Sequence, residues 1–438
     1  MKNNLDRAYT KLDWFVILAI FMFPLTFLTV RHGVHASLFA LLLMAVYQFW
    51  RVKTKNIQFD YPRDFLILLI FSGLFVSVFL SQLFRGAIHF AAFDGPSRIL
   101  FAGVVFLFLK QLNIPYIKIL SIAIPAALIC IFIIIVSSPL DPHWMGRYSM
   151  YFVDPNTLGS QAFILGLLSF LMTQWSENKS KVLSVLQVTG GIFGLYISIG
   201  AGSRGGWLIT PFIFLLIILL RYGDISHADQ AQKRKMWLQT SVFIISSITV
   251  FIIVFIISDK LSERIIGGYF EIYNWFSGAN LDTSAGTRLS MWKFSFQFAN
   301  ESLLFGYGEE KNMMQVLQGS PLNTLANEAA INTMALTGPH SDILSKLLSG
   351  GIISLAAYLL LLAGPFYLFW QHRNSQSSDK KLSSRIGLYY ILGVFIAGLS
   401  NEQLSLKYLC TFYGLMIATL LAQVLCQASA KNHNLFRG

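Results

Sequence analysis

Hydrophobic residues along this chain occur in long runs, separated by short polar segments. A run of about 20 apolar residues is long enough to cross the hydrocarbon core of a bilayer as an α-helix. The tenth run is unusually long, and Gly350-Gly351 predicts a bend inside it. We predict twelve membrane-spanning segments, at residues 12–30, 34–50, 64–84, 97–110, 113–137, 157–174, 182–200, 206–221, 237–258, 341–370, 384–400 and 404–427.

This pattern predicts an all-α polytopic integral membrane protein with one large, partly helical outer loop. Residues 1–258 hold the first nine spans, residues 259–340 form the loop, and residues 341–438 hold the last three spans and a C-terminal tail. Within the loop, residues 261–276 and 284–299 carry apolar side chains at helical spacing, which predicts two amphipathic helices. We expect the first of them to lie flat in the membrane interface.

Composition supports a membrane protein and explains most of the net charge. The chain is 55% hydrophobic and 12% charged, whereas a soluble domain has about 25% charged residues. Its 33 Lys and Arg against 21 Asp and Glu give a net charge of +12. Most of the basic residues in short loops fall on alternate loops, which predicts that both termini are cytoplasmic. We therefore expect membrane lipid, and no nucleic acid, as a partner of the basic surface.

Four arginines lie on the predicted outer side, where topology gives no reason for a positive charge: Arg98, Arg147, Arg204 and Arg288. Because arginine resists transfer across a membrane, each is a candidate functional residue. The alternative is that each side chain simply extends to the lipid headgroups. Arg204 lies in "SIGAGSRGGWLIT" (198–210), where four glycines are expected to reverse the chain between two spans. A turn does not require an arginine.

His340 is the histidine that best fits a chemical role. It follows a Gly-Pro pair, and we expect Pro339 to start the next helix, with His340 at the outer face. Histidine can take a proton from a hydroxyl near neutral pH, and two arginines can bind a diphosphate without a metal. Together these residues suit group transfer from a lipid-linked diphosphate to an alcohol. The alternative is a structural histidine hydrogen-bonded at a helix start.

Other chemistries have weaker support in the sequence. "AGSRG" (201–205) is close to a GxSxG nucleophile elbow, but that motif needs a strand, a turn and a helix on a soluble sheet, which disfavours Ser203 as a nucleophile. The three cysteines, Cys130, Cys410 and Cys426, lie apart in apolar runs and predict neither a metal site nor a disulfide. A secondary transporter would carry internal repeats and ionisable residues near the bilayer midplane, and neither is evident.

Three segments together resemble the O-antigen ligase family of bacterial inner-membrane enzymes, which is related to the O-antigen polymerases. They are "SRGGWL" (203–208), "RLSMW…SLLFGYG" (288–308) and "TGPHSDILSKLLSGGIISL" (337–355). Their order, spacing and predicted membrane context all match the family. "FDGPSRIL" (93–100), with an Asp-x-x-x-Arg at the start of a span, is a weaker similarity.

The resemblance implies a metal-independent, inverting glycosyltransferase of lipopolysaccharide biosynthesis. Its donor would be O-antigen linked to undecaprenyl diphosphate, and its acceptor the lipid A–core oligosaccharide, at the periplasmic face of the inner membrane. His340 would be the catalytic base, and Arg204 and Arg288 would bind the diphosphate, with Arg98 and Arg147 as additional candidates. An O-antigen polymerase and a protein O-oligosaccharyltransferase of the same fold remain open, because no motif identifies the acceptor.

Overall fold

A computed structural model describes residues 9–51, 59–175, 180–226, 229–308 and 328–426. Within these residues the regular structure is helical, apart from one isolated bridge between Met150 and Val153. The predicted terminal tails and the loop segment 309–327 lie outside the described residues.

Each predicted apolar segment lies on a helix, and the eighth is divided into a short helix and a long one. Helices are also present over both loop segments that were predicted to be amphipathic, and the first of the two has a clear apolar face. The described residues form α1 (Lys11–Phe27), α2 (Gly33–Arg51), α3 (Arg63–Arg85), α4 (Asp94–Leu109), α5 (Tyr116–Ser137), α6 (Pro155–Trp175), α7 (Lys181–Ala201), α8 (Arg204–Trp207), α9 (Ile209–Ser226), α10 (Gln230–Ile257), α11 (Asp259–Phe276), α12 (Ser284–Ala299), α13 (Glu328–Thr337), α14 (Asp342–His372), α15 (Ser378–Gly398) and α16 (Lys407–Leu425).

Ten helical segments among the described residues are long and apolar enough to cross a membrane. The polytopic membrane character is therefore confirmed. The helix α1 is short for a span, at 17 residues, and α15 carries four charged residues within residues 378–385. The exact number of twelve spans stays a prediction, as does the placement of the long loop on the periplasmic side.

The centre of the bundle is formed by α6 and α16. Inside the protein, 78% of the spanning window of α6 and 89% of that of α16 are buried. The helix α16 packs mainly against α4, and α6 packs mainly against α7. The helix α10 is the opposite case, because only 6% of its spanning window is buried. An apolar helix without protein cover is stable where lipid surrounds it.

The helix α14 is interrupted where the sequence predicts a bend. The second glycine of Gly350-Gly351 has φ 66° and ψ −162°, which is not helical. The segment 303–308 lies along this break, and the Tyr307 N–H donates to the carbonyl of Leu348 at 2.7 Å. Backbone groups in a membrane need such internal partners, because lipid offers none. The same bond fastens the described part of the long loop to the helix that follows His340.

The start of α14 differs from the sequence prediction. The helix begins at Asp342, so the expectation that Pro339 starts it was wrong. His340 lies in the turn before the helix, with φ 51° in the left-handed region. The buried carboxylate of Asp342 accepts two backbone N–H groups of the α15–α16 loop, at 3.0 and 2.9 Å. This carboxylate fixes that loop beside the turn that carries His340.

Candidate active site

The turn between α7 and α8 carries Arg204 to one end of the bundle. The helix α7 ends at Ala201, and Gly202 follows with φ 62°, the left-handed conformation that closes many helices. The reversal expected of four glycines is therefore made by Gly202 alone. The other three lie inside α7 and α8, close to atoms of neighbouring elements: Gly200, Gly205 and Gly206.

Ser203 anchors this turn to α6. Its hydroxyl donates to the carbonyl of Asn156 at 3.0 Å, and the residue is only 3% exposed. A nucleophilic serine instead needs a base that accepts its proton. The contacts of Ser203 are those of a structural residue, as the sequence indicated.

Arg204 is held by a carboxylate from the long loop. Its Nη1 and Nη2 donate to Oε1 and Oε2 of Glu271 on α11, at 3.1 and 2.9 Å. The same Oε2 accepts the backbone N–H of Ala285, at 2.7 Å, in the first turn of α12. Burial raises the pKa of Glu271, but the bonds from Arg204 and Ala285 outweigh it and hold that pKa below its ordinary value. Glu271 therefore joins α8, α11 and α12.

Arg288 lies near the start of α12, on the helix predicted from the sequence. Its Nη1 donates to the hydroxyl of Ser284 at 3.2 Å. Its Nε is buried and has no hydrogen-bond partner among the described residues. Burial, and then the positive charge of Arg204, lower the pKa of Arg288. An unsatisfied buried donor of this kind is favourable only when a ligand supplies the missing acceptor.

A cavity of about 370 Å³ opens beside the Gly202 turn. Its charged lining consists of four cations and two carboxylates: Arg147, Arg204, Lys260, Arg264, Glu263 and Glu271. The residues that the structure describes contain no group of three His, Cys, Asp or Glu side chains placed to hold a metal ion. With an excess of two positive charges, the cavity fits a ligand that carries about two negative charges, as a diphosphate diester does.

Arg147 reaches the cavity from the segment between α5 and α6. Its Nε donates to the carbonyl of Ala201 at 2.8 Å, and its Nη2 donates to the side-chain oxygen of Asn156 at 2.7 Å. Burial, followed by the positive charge of Arg264, lowers the pKa of Arg147 to about 10. The structure thus brings Arg147 and Arg204 to one cavity.

The turn that carries His340 is fastened to the helix that carries Arg288. The indole N–H of Trp292, one turn after Arg288 on α12, donates to the carbonyl of Pro339 at 3.1 Å. His340 is close enough to Arg288 for that charge to affect its ionisation. The two residues therefore belong to one site, although 52 residues separate them in the sequence.

His340 is neutral in this environment. Burial, and then the charge of Arg288, lower its pKa to about 4, although the charge of Asp154 and a hydrogen bond with Asn401 act in the opposite direction. Nε2 lies 3.2 Å from the Thr337 hydroxyl, which itself donates to the carbonyl of Thr333. The neutral ring carries a proton on one nitrogen and a lone pair on the other, so it can accept one proton.

Arg98 lies in a different cluster of charged residues. Its Nη2 pairs with Asp94 at 2.6 Å, and Lys407 pairs with the other oxygen of the same carboxylate at 2.5 Å. Its guanidinium also lies over the ring of Phe39, 5.8 Å from the ring centre. Arg98 does not line the cavity, so among the arginines selected from the sequence it is the one that the structure does not bring to Arg204.

Four charged residues of the cavity were not predicted from the sequence: Lys260, Glu263, Arg264 and Glu271. They follow the spacing of one helical face on α11, together with Gly268, where a Cβ would lie 2.8 Å from Nη1 of Arg204. The prediction of this helix rested only on the apolar periodicity of residues 261–276. The charged face of the same helix was the signal that could have found them.

Comparison with known families agrees with this geometry. A family model described as O-antigen ligase matches residues 189–359, which run from α7 into α14. The match includes Arg204, Arg288 and His340, and it confirms the resemblance found in the sequence. No curated protein matches the chain. Residues 189–359 of this chain are therefore similar to the O-antigen ligase family.

Proposed function

We propose that the protein is a glycosyltransferase that moves O-antigen polysaccharide from undecaprenyl diphosphate onto the lipid A–core oligosaccharide. The reaction would take place at the periplasmic face of the inner membrane. The family similarity supports the broad O-antigen ligase or polymerase class. The observation that carries the finer proposal is the arginine cavity beside a neutral histidine, His340, at one end of the bundle.

The arginines account for the donor side of the reaction. Arg204 and Arg288 would bind the diphosphate, and Arg147 would assist from the opposite wall of the cavity. Guanidinium groups bind phosphate oxygens in pairs and keep their charge at neutral pH. They would therefore stabilise the diphosphate as it leaves with the electron pair of the broken bond, which is the role that a metal ion has in many other transferases.

His340 accounts for the acceptor side. The unprotonated ring nitrogen would take the proton of the acceptor hydroxyl as its oxygen attacks the anomeric carbon. One carbon–oxygen bond forms to the acceptor, and the bond between the anomeric carbon and the phosphate oxygen breaks. A single displacement of this kind inverts the configuration at the anomeric carbon.

Donor binding would also make His340 a stronger base. A pKa of about 4 keeps the ring neutral but makes it a weak base. The charge of Arg288 is the second cause of that lowering, after burial. A diphosphate bound to Arg288 would cancel much of this charge and raise the pKa. The base would then be strongest when the leaving group is in place.

Complementation of a strain that lacks the gene tests this proposal. The wild-type chain should restore full-length lipopolysaccharide, whereas His340→Ala, inserted to the same level, should leave lipid-linked polymer unattached. His143→Ala is a matched control, because this exposed histidine lies outside the cavity. Full restoration by His340→Ala would contradict the proposal.

The phenotype of the deletion itself separates the three acceptors. Accumulation of lipid-linked polymer without attachment indicates a ligase. Single-repeat caps on lipid A–core indicate an O-antigen polymerase. Normal lipopolysaccharide with loss of glycan from proteins indicates a protein O-oligosaccharyltransferase.

A further inference from the structure

The cavity contains a guanidinium group that the protein itself leaves without a partner. Arg264 on α11 lines the cavity and makes no hydrogen bond or salt bridge with any other residue that the structure describes. Arg204, by contrast, has both terminal nitrogens on the carboxylate of Glu271. Arg264 therefore has more donors that are not engaged by the described residues than Arg204 has.

Arg264 and Arg147 both approach Gly202. A Cβ on Gly202 would lie 3.2 Å from Nε of Arg264 and 3.6 Å from Nε of Arg147. The two guanidinium groups are therefore close neighbours. The charge of Arg264 is, after burial, the main cause of the lowered pKa of Arg147. Two like charges this close repel each other, and a bound anion would offset the repulsion.

Most of the other donors on this wall of the cavity have acceptors within the protein. Arg147 donates through Nε to Ala201 and through Nη2 to Asn156. Its Nη1 donates to no other residue in the described part of the chain. Lys260, one turn before Arg264 on the same face of α11, donates to the carbonyl of Gly146 at 3.4 Å. The donors of this wall that remain for a ligand are therefore those of Arg264 and Nη1 of Arg147, although the carboxylates of Glu263 and Glu271 line the same cavity.

We propose that Arg264 is a further binding residue for the donor diphosphate, which holds one phosphate group together with Arg147 across Gly202 while Glu271 keeps Arg204 oriented. The proposal deepens the proposed function, because the ligand is the diphosphate of the same donor. Arg264 would bind the ground state and the transition state alike. Such a residue affects KM and leaves kcat nearly unchanged.

The test compares Arg264→Ala and Arg264→Lys with Lys293→Ala in the full-length protein. Lys293 is an exposed cation on α12 outside the cavity, so its loss causes the same change in net charge. Each protein is assayed for transfer from a lipid-diphosphate donor and for binding of farnesyl diphosphate. Loss of a hydrogen-bonded charge at a binding site weakens binding by about tenfold to a hundredfold.

For Arg264→Ala we expect the donor KM and the Kd of farnesyl diphosphate to rise by about tenfold to a hundredfold. The kcat should stay within about twofold of wild type. Arg264→Lys should recover part of the affinity, because it keeps the charge and loses the planar fork. Thermal stability should be unchanged, because Arg264 makes no hydrogen bond in the described protein. A donor KM and Kd equal to those of Lys293→Ala would overturn the proposal, as would a loss of kcat alone.

Failure of this inference is distinguishable from failure of the proposed function. If Arg264→Ala binds farnesyl diphosphate normally while His340→Ala and Arg288→Ala abolish transfer, Arg264 is not a ligand but the reaction stands. If Arg264→Ala loses farnesyl diphosphate binding and the wild-type protein transfers no glycan, the anion site stands and the reaction does not.

Discussion

Two groups of charged residues lie at opposite ends of the helical stretch from Arg204 to Asp224. At one end the arginine cavity brings like charges together. At the other end Asp224, Lys381 and Arg385 form what we call the Asp224 clamp. Arg385 is 0% exposed and donates to both oxygens of Asp224, at 2.8 and 2.6 Å. Lys381 donates to the same carboxylate at 3.0 Å.

The difference lies in whether each charge is matched within the protein. In the Asp224 clamp the buried guanidinium also donates from Nε to the carbonyl of Arg373, so its charge and its donors are satisfied. In the cavity Arg264 makes no hydrogen bond or salt bridge with the described residues. Near the cavity, Nε of Arg288 is buried and has no hydrogen-bond partner among those residues. Buried charges stabilise a fold only when every one of them keeps its partner. Charges without a partner inside the protein are concentrated at functional sites.

The largest effect on stability is expected for Arg385→Ala in the Asp224 clamp. The change leaves the Asp224 carboxylate mostly buried without its main partner, which costs about 3–5 kcal/mol. We expect a lower melting temperature in detergent, and transfer activity that falls with the amount of folded protein. Lys381→Ala is the control, because this lysine is 34% exposed and its loss should cost much less. Equal melting temperatures for the two variants would contradict a buried clamp.

For Arg288→Ala, near the arginine cavity, we expect a loss of activity without a loss of stability. Loss of a donor to the leaving group should lower kcat by about 10²–10³-fold. The melting temperature should stay the same or rise, because the change removes a buried unsatisfied donor and a repulsive charge. Lys293→Ala on the same helix should alter neither quantity. If Arg288→Ala lowered the melting temperature as much as Arg385→Ala, both arginines would be structural residues and the comparison would fail.

A smaller effect is expected for Glu271→Gln, which weakens the hydrogen bonds that Arg204 donates to this side chain. The diphosphate and Glu271 are acceptors for the same guanidinium, so loss of the carboxylate charge should lower the donor KM by about two- to fivefold. Glu263→Gln is the matched control, because it removes the same charge from the same cavity without a bond to Arg204. An equal change in both variants would mean that only the net charge matters.

The smallest effect is expected in the pH dependence of kcat/KM, which should be displaced to lower pH. In the proposed mechanism the base form of His340 is the active form, and its pKa is lowered from 6.5 to about 4. For the free enzyme, kcat/KM should therefore remain near its neutral value at about pH 5.5 and fall only at lower pH. Arg288→Ala removes the second cause of the lowering, so its residual activity should begin to fall at a higher pH. A wild-type profile that falls through pH 6.5 would contradict a buried, neutral His340.

Much of the architecture was predictable from the sequence. Runs of apolar residues predict helices because each helix satisfies its own backbone and meets lipid with its own side chains. The break at Gly350-Gly351 was also predictable from local sequence, because a pair of glycines favours a bend inside a helix. Arg204, Arg288 and His340 were identified because topology and turn geometry did not explain them. The start of α14 was predicted wrongly at Pro339, because the turn around His340 depends on contacts with α12 and the α15–α16 loop.

The sequence by itself determined the helical membrane class, the two helices of the long loop and three members of the candidate site. Only the tertiary structure decided which charges are matched. Arg204 and Glu271 are 67 residues apart in the chain, and Arg385 and Asp224 are 161 apart. An apolar pattern depends on neighbours within a few turns, whereas an ion pair depends on which helices pack together. The same residue type is therefore a structural element in the Asp224 clamp and a candidate ligand-binding group in the arginine cavity.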